Sequence, residues 1–181
     1  MLFRSACISE ATARGSEAKV YLSRARLYPH LRAIRGELAL EVNLIRLGWT
    51  IIHPERLPML DQLQTLARAH VIAGELGSAF HLLMYFGTGL VNKNVIGLSV
   101  NRRGRDPRVI NIIEQLRLQS VNLQLLPCLG FCRPRRIAVD TPGSRVIHDR
   151  RMLVPAPWLA ARMDQLAEEN AQGEARRHRI E

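Results

Sequence analysis

Short apolar runs of strand length alternate along this chain with segments whose apolar residues repeat at helical spacing, and this alternation constrains the fold more than any other feature. Strand-like runs occupy residues 19–23, 49–52 and 71–73, and a helix-like segment follows each of them. A cycle of about 20 to 25 residues is typical of βαβ units. We therefore predict an α/β protein with a Rossmann-like, mainly parallel sheet and helices on both of its faces.

The first predicted helix covers residues 37–47 and ends at Gly48, because glycine is a common C-terminal stop of a helix. Its apolar residues form two stripes: Leu38, Val42 and Ile45, and Leu40, Leu44 and Leu47. Two such stripes predict a helix that is buried over much of its circumference.

The same pattern continues beyond this helix. A second helix is expected over residues 60–69 with Leu60, Leu63 and Ala67 facing inward, and another is expected to open at Ser78. The later elements are predicted strands over residues 94–100, 123–126 and 136–139, a helix that starts at Asp106 and Pro107, and a last helix that opens at Pro157. We divide the chain into a loose N-terminal segment (1–17), a Rossmann-like domain (18–171) and a charged tail (172–181).

Composition excludes several classes of protein. Hydrophobic residues make up 47% of the 181 residues, which is typical of a folded domain. The three cysteines are too few and too unevenly spaced for a disulfide scaffold, and they suggest no metal site. The apolar runs are of strand length and the amino end lacks signal-peptide character, so we expect no transmembrane segment and a cytoplasmic location, with peripheral attachment to the inner membrane as a variant.

A formal net charge of +10 raises nucleic acid as a partner. All but two of the 26 basic residues are arginines spread along the chain, and aromatic residues, the usual stacking platforms, make up only 5%. We therefore favour a surface that faces solvent or an anionic ligand and regard nucleic acid as an unlikely partner.

Ligands of open parallel sheets bind outside the carboxyl ends of the strands, so the residues that follow each strand are the candidates for a site. Arg24 follows the first strand and could hold a diphosphate through a forked pair of hydrogen bonds. Residues 74–78 follow the third strand, and their two glycines allow a ligand to approach the backbone at a helix start, where phosphate binds well. His53 follows the second strand, but the histidine spacing suggests no metal site.

Several short motifs in order between Val20 and Phe86 resemble the catalytic domain of glycosyltransferase family 61. Residues 21–24 (YLSR) resemble the strand end YISR of that family, and residues 35–37 (RGE) resemble its helix start xNE, with Gly36 in place of asparagine. Residues 47–55 (LGWTIIHPE) are similar to xGFxVxxPE.

Three further motifs follow in the family's order. Asp61-Gln62 is similar to the family's EQ helix, residues 69–74 (AHVIAG) to ARxxxG, and residues 75–81 (ELGSAFH) to the turn xxGxxLxN, with Glu75 where the family often has histidine. Motifs this short are individually unspecific, but six in the same order make the resemblance specific.

The resemblance implies the C-terminal, nucleotide-sugar-binding half of a GT-B glycosyltransferase that acts in surface or capsular polysaccharide biosynthesis. The donor-binding residues carried over from the motifs are Ser23, Arg24, Glu37, Gln62, Gly74, Glu75, Gly77, Ser78 and Ala79. The substrates implied are a nucleotide sugar and a glycan acceptor, with no certain cofactor and no metal. Because family members carry a further domain before the first motif, we expect a truncated or partner-dependent half whose acceptor-binding part is a separate domain or chain.

Two other functions remain open from the sequence: a basic, non-catalytic module for nucleic acid or acidic glycan, and a vestigial domain without activity. The motifs identify no catalytic residue, and in particular no general base. They also leave open the donor base and sugar, the acceptor, the metal dependence and the oligomeric state.

Overall fold

The computed structural model of the protein describes residues 18–27, 36–90, 93–99, 110–119, 121–127, 129–131, 151–153 and 156–177. Along these residues the helices are α1 (Glu37–Arg46), α2 (Met59–Arg68), α3 (Ile110–Leu118) and α4 (Ala156–Arg177). The strands are β1 (Ala18–Leu22), β2 (Thr50–Ile52), β3 (Ala69–Glu75), β4 (Asn94–Ser99), β5 (Asn122–Pro127), β6 (Leu129–Phe131) and β7 (Arg151–Leu153). A short 3-10 turn (Pro54–Arg56) precedes α2, and a longer 3-10 segment (Ser78–Leu90) follows β3.

β1 to β5 form one sheet in the order β2-β1-β3-β4-β5, and every pair in it is parallel. This confirms the predicted α/β, Rossmann-like fold. The chain runs outward from β1 to β2 and then returns to β3 on the other side of β1. The carboxyl ends of β1 and β3 therefore form the topological switch point, which is where ligands of doubly wound sheets bind.

Each face of the sheet is covered by helices, because alternate residues of a strand point to opposite faces. Val20 and Leu22 of β1 pack in the core that α2, the 3-10 segment and α3 cover. Tyr21 lies on the other face, where Leu40 of α1 and Met163 of α4 are fully buried. The predicted placement of helices on both faces is confirmed.

α1 is bounded by two glycines that adopt a left-handed backbone. Gly36 (φ 87°) caps its start, a conformation that asparagine also tolerates, so the family's asparagine and this glycine are equivalent for the backbone. Gly48 (φ 79°) ends the helix, with the Gly48 amide donating to Ile45 O and the Trp49 amide to Leu44 O, each at 3.0 Å. The predicted stop at Gly48 is confirmed.

The expected burial of both apolar stripes of α1 is wrong. Leu40 and Leu44 are fully buried, but the side chains of Leu38, Val42 and Ile45 are between 49% and 59% exposed. A helix that packs on a sheet covers it with one side only, so the second stripe faces outward.

Of the other predictions for the helices, some are confirmed and some are wrong. Leu60, expected to face inward, is 53% exposed, whereas Ala67 of the same helix is buried as expected. The segment that opens at Ser78 consists of 3-10 turns interrupted at Gly87 rather than of a regular α-helix. α4 continues to Arg177, inside the segment expected to be a charged tail.

The antiparallel pair of β6 and β7 has no counterpart in the predicted elements. The segment 1–17, the strand predicted over 136–139 and the helix start at Asp106 lie outside the described residues. Within the described part of the chain, no helix has the length and apolar character needed to cross a membrane.

Candidate functional site

Arg24 and Glu75 meet at the switch point. The chain leaves β1 at Ser23, whose amide donates to Ile52 O at 2.9 Å and so fixes the exit from the sheet beside β2. Arg24 then donates from Nη1 to Oε2 of Glu75 at 3.0 Å, with side-chain exposures of 18% and 1%. Burial lowers the pKa of Arg24, but a guanidinium stays charged at neutral pH. The ion pair thus fixes a charged group across the ends of β1 and β3.

Glu37, the first residue of α1, is fully buried beneath this exit. Its Oε1 accepts a hydrogen bond from the Tyr21 hydroxyl at 2.9 Å and another from the Arg24 amide at 3.0 Å. Its Oε2 is buried and has no hydrogen-bond partner in the part of the chain that the structure describes. Burial raises the pKa of Glu37 to about 7, against the opposing effect of these two hydrogen bonds. Both protonation states of Glu37 are therefore populated near neutral pH.

Glu41 lies one helical turn after Glu37 and receives the Ser23 side chain. Ser23 Oγ donates to Oε1 of Glu41 at 2.5 Å and accepts from the Ala25 amide at 3.0 Å. His53 Nε2 lies 3.7 Å from the same carboxylate oxygen, while the His53 Nδ1 atom is buried without a hydrogen-bond partner. These contacts bring the segments that follow β1 and β2 together on the amino-terminal half of α1.

We call these residues the switch-point cluster: Tyr21, Ser23, Arg24, Glu37, Glu41, His53 and Glu75. The cluster contains three carboxyl groups, those of Glu37, Glu41 and Glu75, and one fixed positive charge, that of Arg24. Carboxylates accept hydrogen bonds from hydroxyl groups and a guanidinium donates to phosphate oxygens. The arrangement can therefore hold a ligand that carries both kinds of group.

The two glycines of the following turn have different roles. A Cβ on Gly74 would lie 2.8 Å from the backbone oxygen of Leu22, so glycine is needed there for β3 to approach β1. A Cβ on Gly77 would lie 2.8 Å from Nη1 of Arg24, so this glycine makes room for the guanidinium. Ser78 is exposed at the start of the 3-10 segment and Ala79 is half-buried against the core. Of the two glycines, Gly77 is therefore the one whose lack of a side chain accommodates Arg24.

The structure gives Gln62 a different setting from the other candidate residues. Its Nε2 donates to the carbonyl oxygens of Pro54 and Leu57, each at 2.7 Å. Gln62 thus closes the loop that follows His53 and fixes the entry to α2. Its described hydrogen bonds are to residues of that loop and not to residues of the switch-point cluster.

Sequence reasoning missed Glu41 and Tyr21 as members of the cluster. Glu41 had a usable signal, since it lies four residues after Glu37 and next to the buried Leu40, on a helix whose inner side is otherwise apolar. In the described ranges, no three His, Cys, Asp or Glu side chains are grouped so that they could hold a metal ion. The side chains of the arginine runs at 102–105, 133–136, 150–151 and 176–179 lie outside the described residues.

The family model for glycosyltransferase 61 matches residues 5–91. The matched segment contains β1, α1, β2, α2, β3 and the 3-10 segment, and with them every residue of the switch-point cluster. No curated protein and no solved structure gave a significant match to the chain. The resemblance drawn from the ordered motifs is therefore confirmed for residues 5–91, the segment that matches the glycosyltransferase 61 family model.

Proposed function

We propose that this chain is a glycosyltransferase domain that binds a nucleotide-sugar donor at the switch-point cluster and transfers the sugar to a hydroxyl group of a glycan. Surface or capsular polysaccharide synthesis on the cytoplasmic side is the proposed setting. The observation that carries the proposal is the position of Arg24 over Gly77, at the switch point of a sheet whose first half matches the family.

Arg24 suits a donor diphosphate for a geometric reason. Its guanidinium lies against the backbone of Gly77, where the 3-10 segment begins and amide groups point outward. A phosphate placed there would share the guanidinium with Glu75 and accept from those amides.

The proposed reaction balances around the anomeric carbon. The bond from that carbon to the diphosphate oxygen breaks, the acceptor oxygen forms the new bond, and the hydroxyl proton passes to a general base. Negative charge collects on the departing diphosphate, and Arg24 stabilises it there. We propose that the base and the acceptor site come from a separate domain or chain.

Binding of nucleoside diphosphates to the full chain, measured by calorimetry and by the shift in melting temperature, tests the proposal. We expect saturable binding of at least one nucleoside diphosphate, because a ligand specific to the folded state raises its melting temperature. Arg24→Lys keeps the charge but removes the planar fork and should weaken binding about tenfold or more. Gly77→Ala should weaken it as well, by displacing the guanidinium.

Arg26→Ala is the matched control, since Arg26 is exposed and lies two positions after Arg24. It should leave the affinity unchanged. Equal losses in Arg24→Lys and Arg26→Ala, with an affinity that depends only on salt, would instead indicate nonspecific binding to a basic surface. A folded chain that binds no nucleoside diphosphate would overturn the proposal.

A further inference from the structure

We propose that Glu37 takes up a proton as the nucleotide sugar binds, so that donor affinity falls as the pH rises through neutrality. This inference rests on the proposed function and adds regulation by pH to the same site. Glu37 acts here as a positioning residue, because it reaches the ligand only through Arg24 and Tyr21.

The two oxygens of the Glu37 carboxyl group have different surroundings. Oε1 accepts the hydrogen bonds from Tyr21 and Arg24, and Oε2 has no hydrogen-bond partner among the described residues. A proton can therefore bind to Oε2 while both hydrogen bonds to Oε1 remain. The segment between Tyr21 and Arg24 keeps its position in either protonation state.

The surrounding charges favour proton uptake when an anion arrives. Glu41 faces Glu37 from the next turn of α1, and Glu75 and Arg24 lie at the ends of β3 and β1. His53 and Glu55 follow β2, and Glu55 acts on Arg24. A diphosphate adds negative charge to a cluster already rich in carboxyl groups, and a nearby like charge favours the neutral form of a buried acid.

Among the described contacts, the charged pair that α4 brings to α1 lies at the far end of that helix. Asp164 of α4 pairs with Lys19, and Lys19 also donates to Leu47 O at the carboxyl end of α1. That end lies about 15 Å from Glu37 along a helix of this length. Because burial raises the pKa of Glu37 to about 7, this carboxyl group changes its protonation state near neutral pH.

Proton linkage sets the size of the effect. If binding takes up one proton, affinity falls by up to about tenfold for each pH unit above the pKa of the ligand-free state. A nucleotide sugar is the suitable probe, since both phosphates are esterified and do not themselves titrate near neutral pH. We therefore choose a panel of uridine, guanosine, cytidine and thymidine diphosphate sugars.

Calorimetry on the full chain, in two buffers of different ionisation enthalpy, counts the protons taken up. We expect uptake in the wild type and none in Glu37→Gln, whose side chain keeps an acceptor for Tyr21 and Arg24. Histidine is the other side chain that titrates near neutral pH. We therefore expect His53→Gln to retain the uptake, and its loss there would overturn the assignment to Glu37.

A carbon NMR titration of the glutamate carboxyl groups in the ligand-free chain gives a separate readout. The signal that disappears in Glu37→Gln should have its midpoint near neutral pH, and an ordinary acidic midpoint would overturn the inference. Binding with equal enthalpy in both buffers would overturn the inference and leave the proposed function standing. If no sugar of the panel binds at any pH, the proposed function fails, and the inference fails with it.

Discussion

Arg24 and Glu75 join the carboxyl ends of two neighbouring parallel strands through a contact of 3.0 Å between Nη1 and Oε2. The guanidinium of this pair also rests on the Gly77 backbone, so one side chain links β1, β3 and the 3-10 segment. The candidate site is therefore built from elements that are distant in the sequence, and this contact connects them.

Replacing Arg24 with alanine should destabilise the fold by about 3 kcal/mol, because it removes an ion pair with the buried carboxylate of Glu75. Urea denaturation measures the change. Arg117→Ala is the control, since Arg117 pairs with Glu114 at side-chain exposures of 59% and 57%. Its effect should be about 0.5 kcal/mol or less, and equal effects in the two variants would contradict the buried pair.

The burial of Glu37 should make stability depend on pH. Its pKa of about 7 in the folded chain lies above the ordinary glutamate value, so the folded state binds the proton more tightly than the unfolded state. The stability contributed by the protonated form is fully present below the ordinary value and is lost as pH rises through 7. Compared with Glu37→Gln, the wild type should lose about 3 kcal/mol across this range in urea denaturation. Parallel pH profiles of the two proteins would show that Glu37 is not the group responsible.

Gly74→Ala should mainly lower the stability of the fold, whereas Gly77→Ala should mainly lower the affinity for nucleotide. A Cβ at Gly74 meets the backbone of Leu22, which cannot move out of the sheet, so we expect a loss of about 2 kcal/mol in thermal or urea unfolding. A Cβ at Gly77 meets the end of the flexible Arg24 side chain, so stability should change by less than about 1 kcal/mol while nucleotide affinity falls. The reverse ranking of stabilities would refute these roles.

Gln62→Ala should destabilise the protein by about 2 kcal/mol, because it removes two hydrogen bonds to the loop after His53. Thr65→Ala on the same helix is the control. Thr65 Oγ1 donates only to the Asp61 carbonyl one turn earlier, so its loss should cost about 0.5 kcal/mol or less. If Gln62→Ala instead abolishes nucleotide binding at unchanged stability, Gln62 is a ligand contact and not a loop support.

The sequence was sufficient to predict the fold class and to propose where the site lies. Strand and helix periods are local properties, so the βα alternation and the stop at Gly48 could be predicted from short windows. The general rule for parallel sheets then pointed to the residues after each strand, and the ordered motifs around Arg24 and Glu75 indicated the family.

Local windows could not predict which apolar stripe of α1 would find a partner. Leu38 and Leu40 are equally apolar, and only the position of the sheet decides that Leu40 is buried. The same limit applies to polar side chains. Tertiary packing places Ser23 beside Glu41, so Glu41 becomes part of the cluster. It also places the Pro54 carbonyl beside Gln62, so the Gln62 side chain donates to the loop.

The arrangement of α4 has a consequence for the synthesis of the chain. α4 covers one face of the sheet over Tyr21 and Ile96, and its Asp164 accepts a hydrogen bond from Trp49. As translation proceeds, the strands leave the ribosome well before this helix does. Until α4 emerges, the nascent sheet exposes an apolar face of the kind that chaperones recognise, so folding of the family-matched half depends on residues that lie far beyond it.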